Sequence, residues 1–169
     1  TEEQCLAYLA AYGKMHDHKL RRALDDREFP FHYLRDGFEI YDWGCGQGLG
    51  TMVLVECLRG KGLLNHLKRV YLEEPSDMAR SKALLHVNQT LIETKVEVIE
   101  NNKFLPSDID NNYAITSIDV KERCAIHVFS NILDIEEVSL KKTSQLVASS
   151  GIRHIVLCVG PAIRSDYRI

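Results

Sequence analysis

A glycine-dense turn directly after an apolar segment is the feature that most constrains this chain. Residues 38–43 read Phe-Glu-Ile-Tyr-Asp-Trp, which is typical of a strand, and glycine then occupies every second position from Gly44 to Gly50. Glycine has no Cβ, so the backbone can turn tightly there and come close to a ligand. A helix predicted over 51–58 would direct its free N–H groups and positive dipole end at the same place. The segment therefore predicts a strand–turn–helix unit that binds a ligand.

Strands and helices alternate along the rest of the chain. Ser76 is a natural helix N-cap, and Ala79, Ala83 and Val87 recur every four residues as a buried stripe. Alternation of this kind predicts an α/β fold, a three-layer α/β/α doubly wound and mostly parallel sheet of Rossmann-like type. The predicted strands are 38–43, 69–73, 95–100, 124–130 and 154–159, and the predicted helices after the first are 76–93 and 139–149, with residues 101–122 irregular.

A helical segment precedes the sheet. Residues 2–26 have helical periodicity, and Gly13 is a position where this helix bends or divides in two. At 169 residues the chain fits a single domain, in which 1–37 pack as an N-terminal helical segment on a ligand-binding domain at 38–169. The chain starts without Met and stops at Ile169 inside an ongoing segment, so we expect it to be part of a longer polypeptide.

Cysteine spacing, the length of apolar segments and net charge indicate the compartment and the partners of the domain. The five cysteines are scattered without a C-x-x-C pair, which is typical of reduced thiols in a cytoplasmic protein. We expect no membrane partner, because no segment reaches the length of a membrane span and no signal peptide is visible. A net charge of -3 gives no overall electrostatic reason to expect nucleic acid, although a local basic patch stays open.

The spacing of the glycines discriminates between ligand classes. A dinucleotide site requires G-x-G-x-x-G with glycine or alanine last, and no register starting at Gly44, Gly46 or Gly48 meets that requirement. The turn instead reads acid–x–G-x-G-x-G, which better suits a ligand with a small carboxylate and an amino group. Glu74 follows the second predicted strand, where a carboxylate can accept hydrogen bonds from both hydroxyls of a ribose.

These motifs resemble a known family. Asp42-Trp-Gly-Cys-Gly-Gln-Gly48 looks like the first motif of class I S-adenosylmethionine (SAM)-dependent methyltransferases, and Leu72-Glu-Glu-Pro-Ser76 is similar to that family's second-strand motif. Phe129-Ser-Asn-Ile-Leu133 resembles the stretch where the family places substrate-facing residues. The resemblance covers roughly 38–162 and implies SAM as cofactor and methyl transfer as activity. The cofactor-binding residues that we infer are Asp42, Gly44, Cys45, Gly46, Gln47, Gly48, Glu74, Pro75 and Asn102, and Ser130 and Asn131 would orient the acceptor.

The sequence departs from the family at two places. Ser130-Asn131-Ile132-Leu133 stands where amino-group methylases carry Asp-Pro-Pro-Tyr or Asn-Pro-Pro-Tyr, and the antiparallel strand pair that ends the family's sheet is missing. The domain is then either cut short or a reduced version. Two alternatives therefore stay open: a catalytically inactive SAM-fold scaffold module of a larger protein, and an NAD(P)-dependent oxidoreductase. The methyl acceptor stays open among RNA, protein and small molecules.

Several residues allow a second interpretation. Asp42 could cap the turn without touching a ligand. Tyr12 and His16, four apart on the first helix, could fold over the SAM site, but core packing is the commoner reason for such a pair. His127 lies in the middle of a strand and is interpreted as a core histidine. We expect no metal site, because His16 and His18 are two apart on a helix and point to different faces.

Overall fold

Five parallel strands form one sheet in this computed structural model, which describes residues 1–102, 124–132, 141, 144–145 and 152–160. The strand order is β3-β2-β1-β4-β5, and every neighbouring pair is parallel. The predicted α/β fold class is therefore confirmed, with the strand order of a Rossmann-like domain. The strands are β1 (Phe38–Trp43), β2 (Leu67–Glu73), β3 (Glu97–Asn101), β4 (Cys124–Ser130) and β5 (Arg153–Val159).

Four helices are described around this sheet. The first two are joined by a π-helical turn at Leu9–Gly13, so the helix widens locally up to Gly13, and the helical backbone continues through it. Ser76 caps the fourth helix as predicted, and its Oγ accepts a hydrogen bond from the nitrogen of Ala79 at 3.4 Å. The helices are α1 (Glu2–Tyr8), α2 (Lys14–Leu24), α3 (Leu49–Gly60) and α4 (Asp77–Thr90), with short 3-10 turns at Phe31–Leu34 and Leu64–His66.

One face of the sheet packs against α2, α3 and α4. Phe38 and Ile40 of β1 point to this side, as do Val70 and Leu72 of β2, because alternate residues of a strand face the same way. The helices bury their apolar stripes on it, and α2 packs beside α3. The helical residues that are less than 3% exposed in this core are Leu20, Leu24, Val53, Leu54, Val55, Leu58, Ala83 and Val87.

The opposite face of the sheet carries aromatic and polar side chains. The rings of Tyr41 and Tyr71 stack with centroids 4.5 Å apart. The indole nitrogen of Trp43 donates to Nδ1 of His127 at 3.1 Å, and Nε2 of His127 lies 2.8 Å from Nδ1 of His154. Burial lowers the pKa of His127 to about 3, so the ring is neutral at physiological pH. The interpretation of His127 as a core histidine agrees with this full burial.

Some boundaries differ from the predicted ones. Helix α3 begins at Leu49, two residues earlier than expected, because the glycine turn needs only Gly48 as its N-cap. Strand β2 begins at Leu67 instead of residue 69. Most of the irregular stretch 101–122 and of the predicted helix 139–149 lies outside the described residues, as does 161–169, where the chain ends. Within the described ranges, no helix is both long and apolar enough to cross a membrane.

Candidate functional site

The turn between β1 and α3 lies where the strand order reverses, between β2 on one side of β1 and β4 on the other. In parallel α/β sheets this reversal opens a crevice at the carboxyl ends of the strands. Gly46 has a φ of +55°, and a Cβ built there would meet no atom within 4 Å. The backbone at Gly46 therefore faces open space, as expected for a position that comes close to a ligand.

The glycines on either side of Gly46 are packed against the protein. A Cβ on Gly44 would lie 2.9 Å from Cγ2 of Ile132, and one on Gly48 would lie 3.2 Å from Cα of Ala83 in α4. Both also have positive φ values, +59° and +84°, which glycine adopts at little cost. Gly44 and Gly48 thus pack the turn against Ile132, just after β4, and against α4, while Gly46 has open space at its Cα.

The carboxylate of Glu74 meets the glycine turn. Its Oε2 accepts a hydrogen bond from the nitrogen of Gly46 at 3.0 Å, and its Oε1 accepts one from the nitrogen of Ser76 at 2.9 Å. The backbone carbonyl of Glu74 in turn accepts from the guanidinium of Arg80 at 2.8 Å. A carboxylate has about four lone-pair positions. Two of them are used by backbone N–H groups, so two stay available for further donors.

A cavity of about 310 Å³ joins Gly46 and Glu74 to the N-terminal helix. Its volume lies at the lower end of the range of about 300–1,000 Å³ for small-molecule pockets. Gly46 and Gln47 line it from the turn, and Glu74 from the end of β2. The other lining residues are Ser76, Met78 and Ala79 at the start of α4, and Thr1, Gln4, Cys5 and Tyr8 in or next to α1.

Gln47 connects the turn to α1. Its Nε2 donates to the carbonyl oxygen of Cys5 at 2.8 Å, which fixes the orientation of the amide. Its Oε1 is buried and accepts no hydrogen bond from the described part of the chain. Because a buried acceptor without a donor costs about 1–3 kcal/mol, this atom is a candidate contact for a ligand.

Asp42 is placed differently from the ligand-facing position that the motif implies. The side chain is fully buried on the α3 side of the sheet, where Oδ2 accepts from both the backbone nitrogen (3.0 Å) and Oγ1 (2.7 Å) of Thr51. Asp42 thus binds an N–H group of the first turn of α3 and is not among the residues lining the cavity. Burial raises its pKa to about 7, and the hydrogen bonds from Thr51 oppose this rise. Contact with a cofactor stays a prediction for this residue.

Cys45 is buried within the turn. Its thiol lies 3.8 Å from the carbonyl oxygen of Gly46, and its backbone nitrogen donates to the carbonyl of Glu73 at 3.1 Å. Burial, reinforced by the negative charges of Asp42 and Glu74, raises the pKa of the thiol far above its usual value. The thiol is therefore protonated and a poor nucleophile.

Ser130 and Asn131 end β4 beside the glycine turn. Asn131 adopts a left-handed φ of +59°, its nitrogen donates to the carbonyl of Val159 at 2.6 Å, and its Nδ2 donates to Oγ of Ser130 at 3.2 Å. Such a conformation is uncommon for residues other than glycine, although asparagine tolerates it best. Ile132, the next residue, contacts Gly44. Ser130 and Asn131 thus lie at the carboxyl edge of the sheet, but neither residue lines the cavity at Glu74.

Two further residues of the predicted set lie at the margin. Pro75 is exposed between Glu74 and the start of α4. Asn102 is exposed beyond β3, while the neighbouring Asn101 donates from Nδ2 to Oε1 of Glu73 at 2.8 Å. Neither Pro75 nor Asn102 lines the cavity, so cofactor binding by both stays a prediction.

The sequence did not single out Tyr8 as a residue of the site. The spacing points to Tyr12 and His16 instead, and their rings pack with centroids 6.2 Å apart. Tyr8 lies on the same aromatic cluster, 5.2 Å from Tyr12, and is the member that lines the cavity. The π-helical turn shifts the register between α1 and α2, so extrapolation of a regular helix could not locate it.

Two other surface cavities are separate from the glycine turn. One, of about 370 Å³, lies along α3 and α4 and includes Arg59 and His86. The other, of about 400 Å³, lies beside the start of β2 and includes Lys68 and Thr94. Neither is lined by Gly46 or Glu74, and in the parts of the chain that are described no three His, Cys, Asp or Glu residues cluster as metal ligands.

Comparison with known proteins adds little to this geometry. No family model matches the chain, and no similarity to a curated protein was detected. The solved structure of the plantazolicin methyltransferase BpumL in complex with SAH aligns at 16% identity and a TM-score of 0.29, covering 67% of this chain and 41% of that one. The chain thus spans less than half of that methyltransferase. A similarity this low has no bearing on function, which depends here on the site itself.

Proposed function

We propose that the cavity at Gly46 and Glu74 binds SAM and that the protein is a SAM-dependent methyltransferase. The observation that carries the proposal is the 3.0 Å hydrogen bond from the nitrogen of Gly46 to the Glu74 carboxylate at the wall of this cavity. An exposed glycine backbone and a ribose-binding acid are the two elements that an adenosyl ligand requires from the ends of adjacent strands. The resemblance of the motifs to class I methyltransferases points to the same ligand.

Three features of the chain fit this cofactor. Gly46 leaves the space that a side chain would fill, and Glu74 keeps lone pairs for two hydroxyl donors. Gln47 lines the same cavity and has a buried acceptor oxygen without a donor among the described residues. These groups would hold the ribose and the amino-acid part of SAM between the glycine turn and α1.

The chain's contribution to catalysis is then mainly alignment. SAM, when bound, supplies a methyl carbon activated by its sulfonium, so no strong base is required. The residues at the carboxyl edge of the sheet, Ser130 and Asn131, would hold the acceptor in line with that carbon. The hydroxyl and the amide offer both donors and acceptors, which suits an acceptor with a polar reacting atom. Helix α1 covers the cavity and would exclude water.

Calorimetric titration with SAM, SAH and NADH tests the proposed cofactor. We expect binding of SAM and SAH, with no heat from NADH. Binding of NADH alone would instead favour the oxidoreductase alternative. No heat and no thermal shift with SAM or SAH at millimolar concentration would exclude the proposal.

Turnover separates the enzyme from an inactive SAM-binding module. SAH production should appear when RNA, protein or small-molecule fractions are supplied as acceptors with SAM. Tight SAM binding without SAH production from any of these fractions would favour the inactive scaffold module instead.

A further inference from the structure

Helix α1 lies at the wall of the cavity. None of its residues is buried, and it continues through the π-helical turn into α2. Its Thr1–Gln4 capping box satisfies its own N-terminus but does not attach it to the domain. Besides the packing of Tyr8 on His16, a hydrogen bond from Gln47 to the Cys5 carbonyl and an ion pair between Lys82 and Glu2, at 2.8 Å each, attach it to the glycine turn and to α4.

The two attachments differ in their surroundings. The Lys82–Glu2 pair involves a largely exposed carboxylate, 67% of whose side chain is accessible, and exposed ion pairs contribute little to stability. Gln47 is 7% exposed and Cys5 is partly buried, so their hydrogen bond is less accessible to water than the ion pair. The Gln47 contact is therefore the stronger constraint on the position of α1.

Gln47 also lines the cavity. With Nε2 committed to Cys5, Oε1 is the end left for a ligand, and it is buried without a donor from the described residues. A ligand O–H or N–H group at that oxygen would remove the cost of the unpaired acceptor. It would also hold the amide plane, and with it the hydrogen bond to α1.

We propose that Gln47 is a positioning residue that couples ligand binding to the docking of α1. This inference depends on the proposed function, because the donor that Oε1 accepts from is a ribose hydroxyl or the ammonium group of SAM. The π-helical turn at Leu9–Gly13 lies directly after α1 and is the segment about which α1 moves. Occupancy of the cavity therefore closes α1, and α1 in turn slows release of the ligand.

Hydrogen–deuterium exchange of the peptide covering residues 1–8 tests the coupling, with SAH as the probe and affinity measured by calorimetry on the same samples. In the wild-type protein, saturating SAH should slow exchange of this peptide about three- to tenfold, the effect of one added hydrogen bond. Gln47→Met, which keeps the length of the side chain and removes both polar atoms, should abolish this SAH-dependent slowing and weaken SAH binding.

Two further variants separate coupling from loss of structure. Lys82→Met removes the exposed attachment and should speed exchange of α1 in the free protein, but SAH should still slow it. Gln47→Glu keeps an acceptor for the ligand and loses the donor to Cys5, so SAH should still bind while the protection of α1 is lost.

The same exchange experiment identifies the ligand group that donates to Oε1 and separates failure of the coupling from failure of the proposed function. Methylthioadenosine keeps the ribose and lacks the ammonium group, so slowing by it assigns the donor to a hydroxyl, and slowing by SAH alone assigns it to the ammonium. If SAH binds the wild-type protein but leaves exchange of residues 1–8 unchanged, or slows it equally in Gln47→Met, the coupling is wrong and the proposed function stands. If SAH does not bind at all, both are overturned.

Discussion

The Glu74 carboxylate lies 3.0 Å from the backbone nitrogen of Gly46, which joins the end of β2 to the turn after β1. The two residues are 28 positions apart in sequence. The contact fixes the direction of the carboxylate before a ligand arrives, and such preorganisation reduces the cost of binding. Glu74 therefore stabilises the glycine turn in addition to its predicted role in binding the ribose.

Replacement of Glu74 by Gln should weaken SAH binding without unfolding the protein. Hydrogen bonds to a charged group contribute about 1.5–3 kcal/mol, so the dissociation constant should rise about ten- to a hundredfold. Calorimetry measures this change. Asp77→Asn is the matched control, because Asp77 is an exposed carboxylate three residues further on, at the first position of α4, and does not line the cavity. Equal affinities of Glu74→Gln and wild type would contradict a ribose contact.

Asp42 should make the protein less stable as the pH rises from about 4 to about 7. Its pKa is raised by burial to about 7 in the folded state, so in this range the folded state binds more protons than the unfolded state. Stability then falls with pH, by at most about 1.4 kcal/mol per pH unit from this one group. Asp42→Asn should remove this slope, as urea unfolding at several pH values would show. A variant that parallels the wild-type curve would rule out the raised pKa.

The stability of the fold should depend on the ion pair between the buried Glu39 and Arg69. Arg69 lies 3.1 Å from Glu39, which is fully buried, and Tyr41 donates to the other carboxylate oxygen at 3.2 Å. Arg69→Met leaves a buried charge without its counter-ion, which should cost about 3–5 kcal/mol in urea unfolding. The double variant with Glu39→Gln should recover part of that loss. Arg21→Met is the control, since its pairs with Asp17 and Glu56 are exposed and should contribute less than about 1 kcal/mol.

His127 should stay neutral over the physiological range. Burial and the neighbouring His154 lower its pKa to about 3, so the unfolded state binds more protons between about pH 3 and 6.5 and this group destabilises the fold on acidification. The Trp43 indole donates to Nδ1, which places the proton on Nε2. Nitrogen chemical shifts of the ring should therefore report this tautomer from pH 8 to pH 5. Titration near pH 6.5 would be incompatible with the buried network.

The strands and the glycine turn could be predicted because they depend on local chemistry. The apolar run at Cys124–Ser130 gave the bounds of β4 that the structure has, and Ser76 marked the start of α4 through its capping oxygen. Glu74 could be found because a polar residue that directly follows a buried strand lies at the ligand-binding edge of a parallel sheet.

The remaining features depend on contacts that no local pattern encodes. The hydrogen bond from Gln47 to Cys5 joins residues 42 positions apart, and only the docking of α1 brings them together. The hydrogen bonds of Asp42 to Thr51 agree with the alternative that Asp42 caps the turn, and the cofactor contact that the family motif implies stays a prediction. Tyr8 was missed because the π-helical turn changes the helical register.

The central claim, that the open backbone at Gly46 is a cofactor surface, is tested most directly by calorimetric titration of SAH into Gly46→Ala and Gly62→Ala. Both glycines have positive φ, +55° and +69°, and open space at Cβ, so alanine should cost each variant a similar amount of stability, about 1–2 kcal/mol. Of these two glycines, Gly46 lines the cavity and Gly62 does not. We predict that Gly62→Ala binds SAH like the wild type and that Gly46→Ala shows no binding. Undiminished affinity in folded Gly46→Ala would contradict the account.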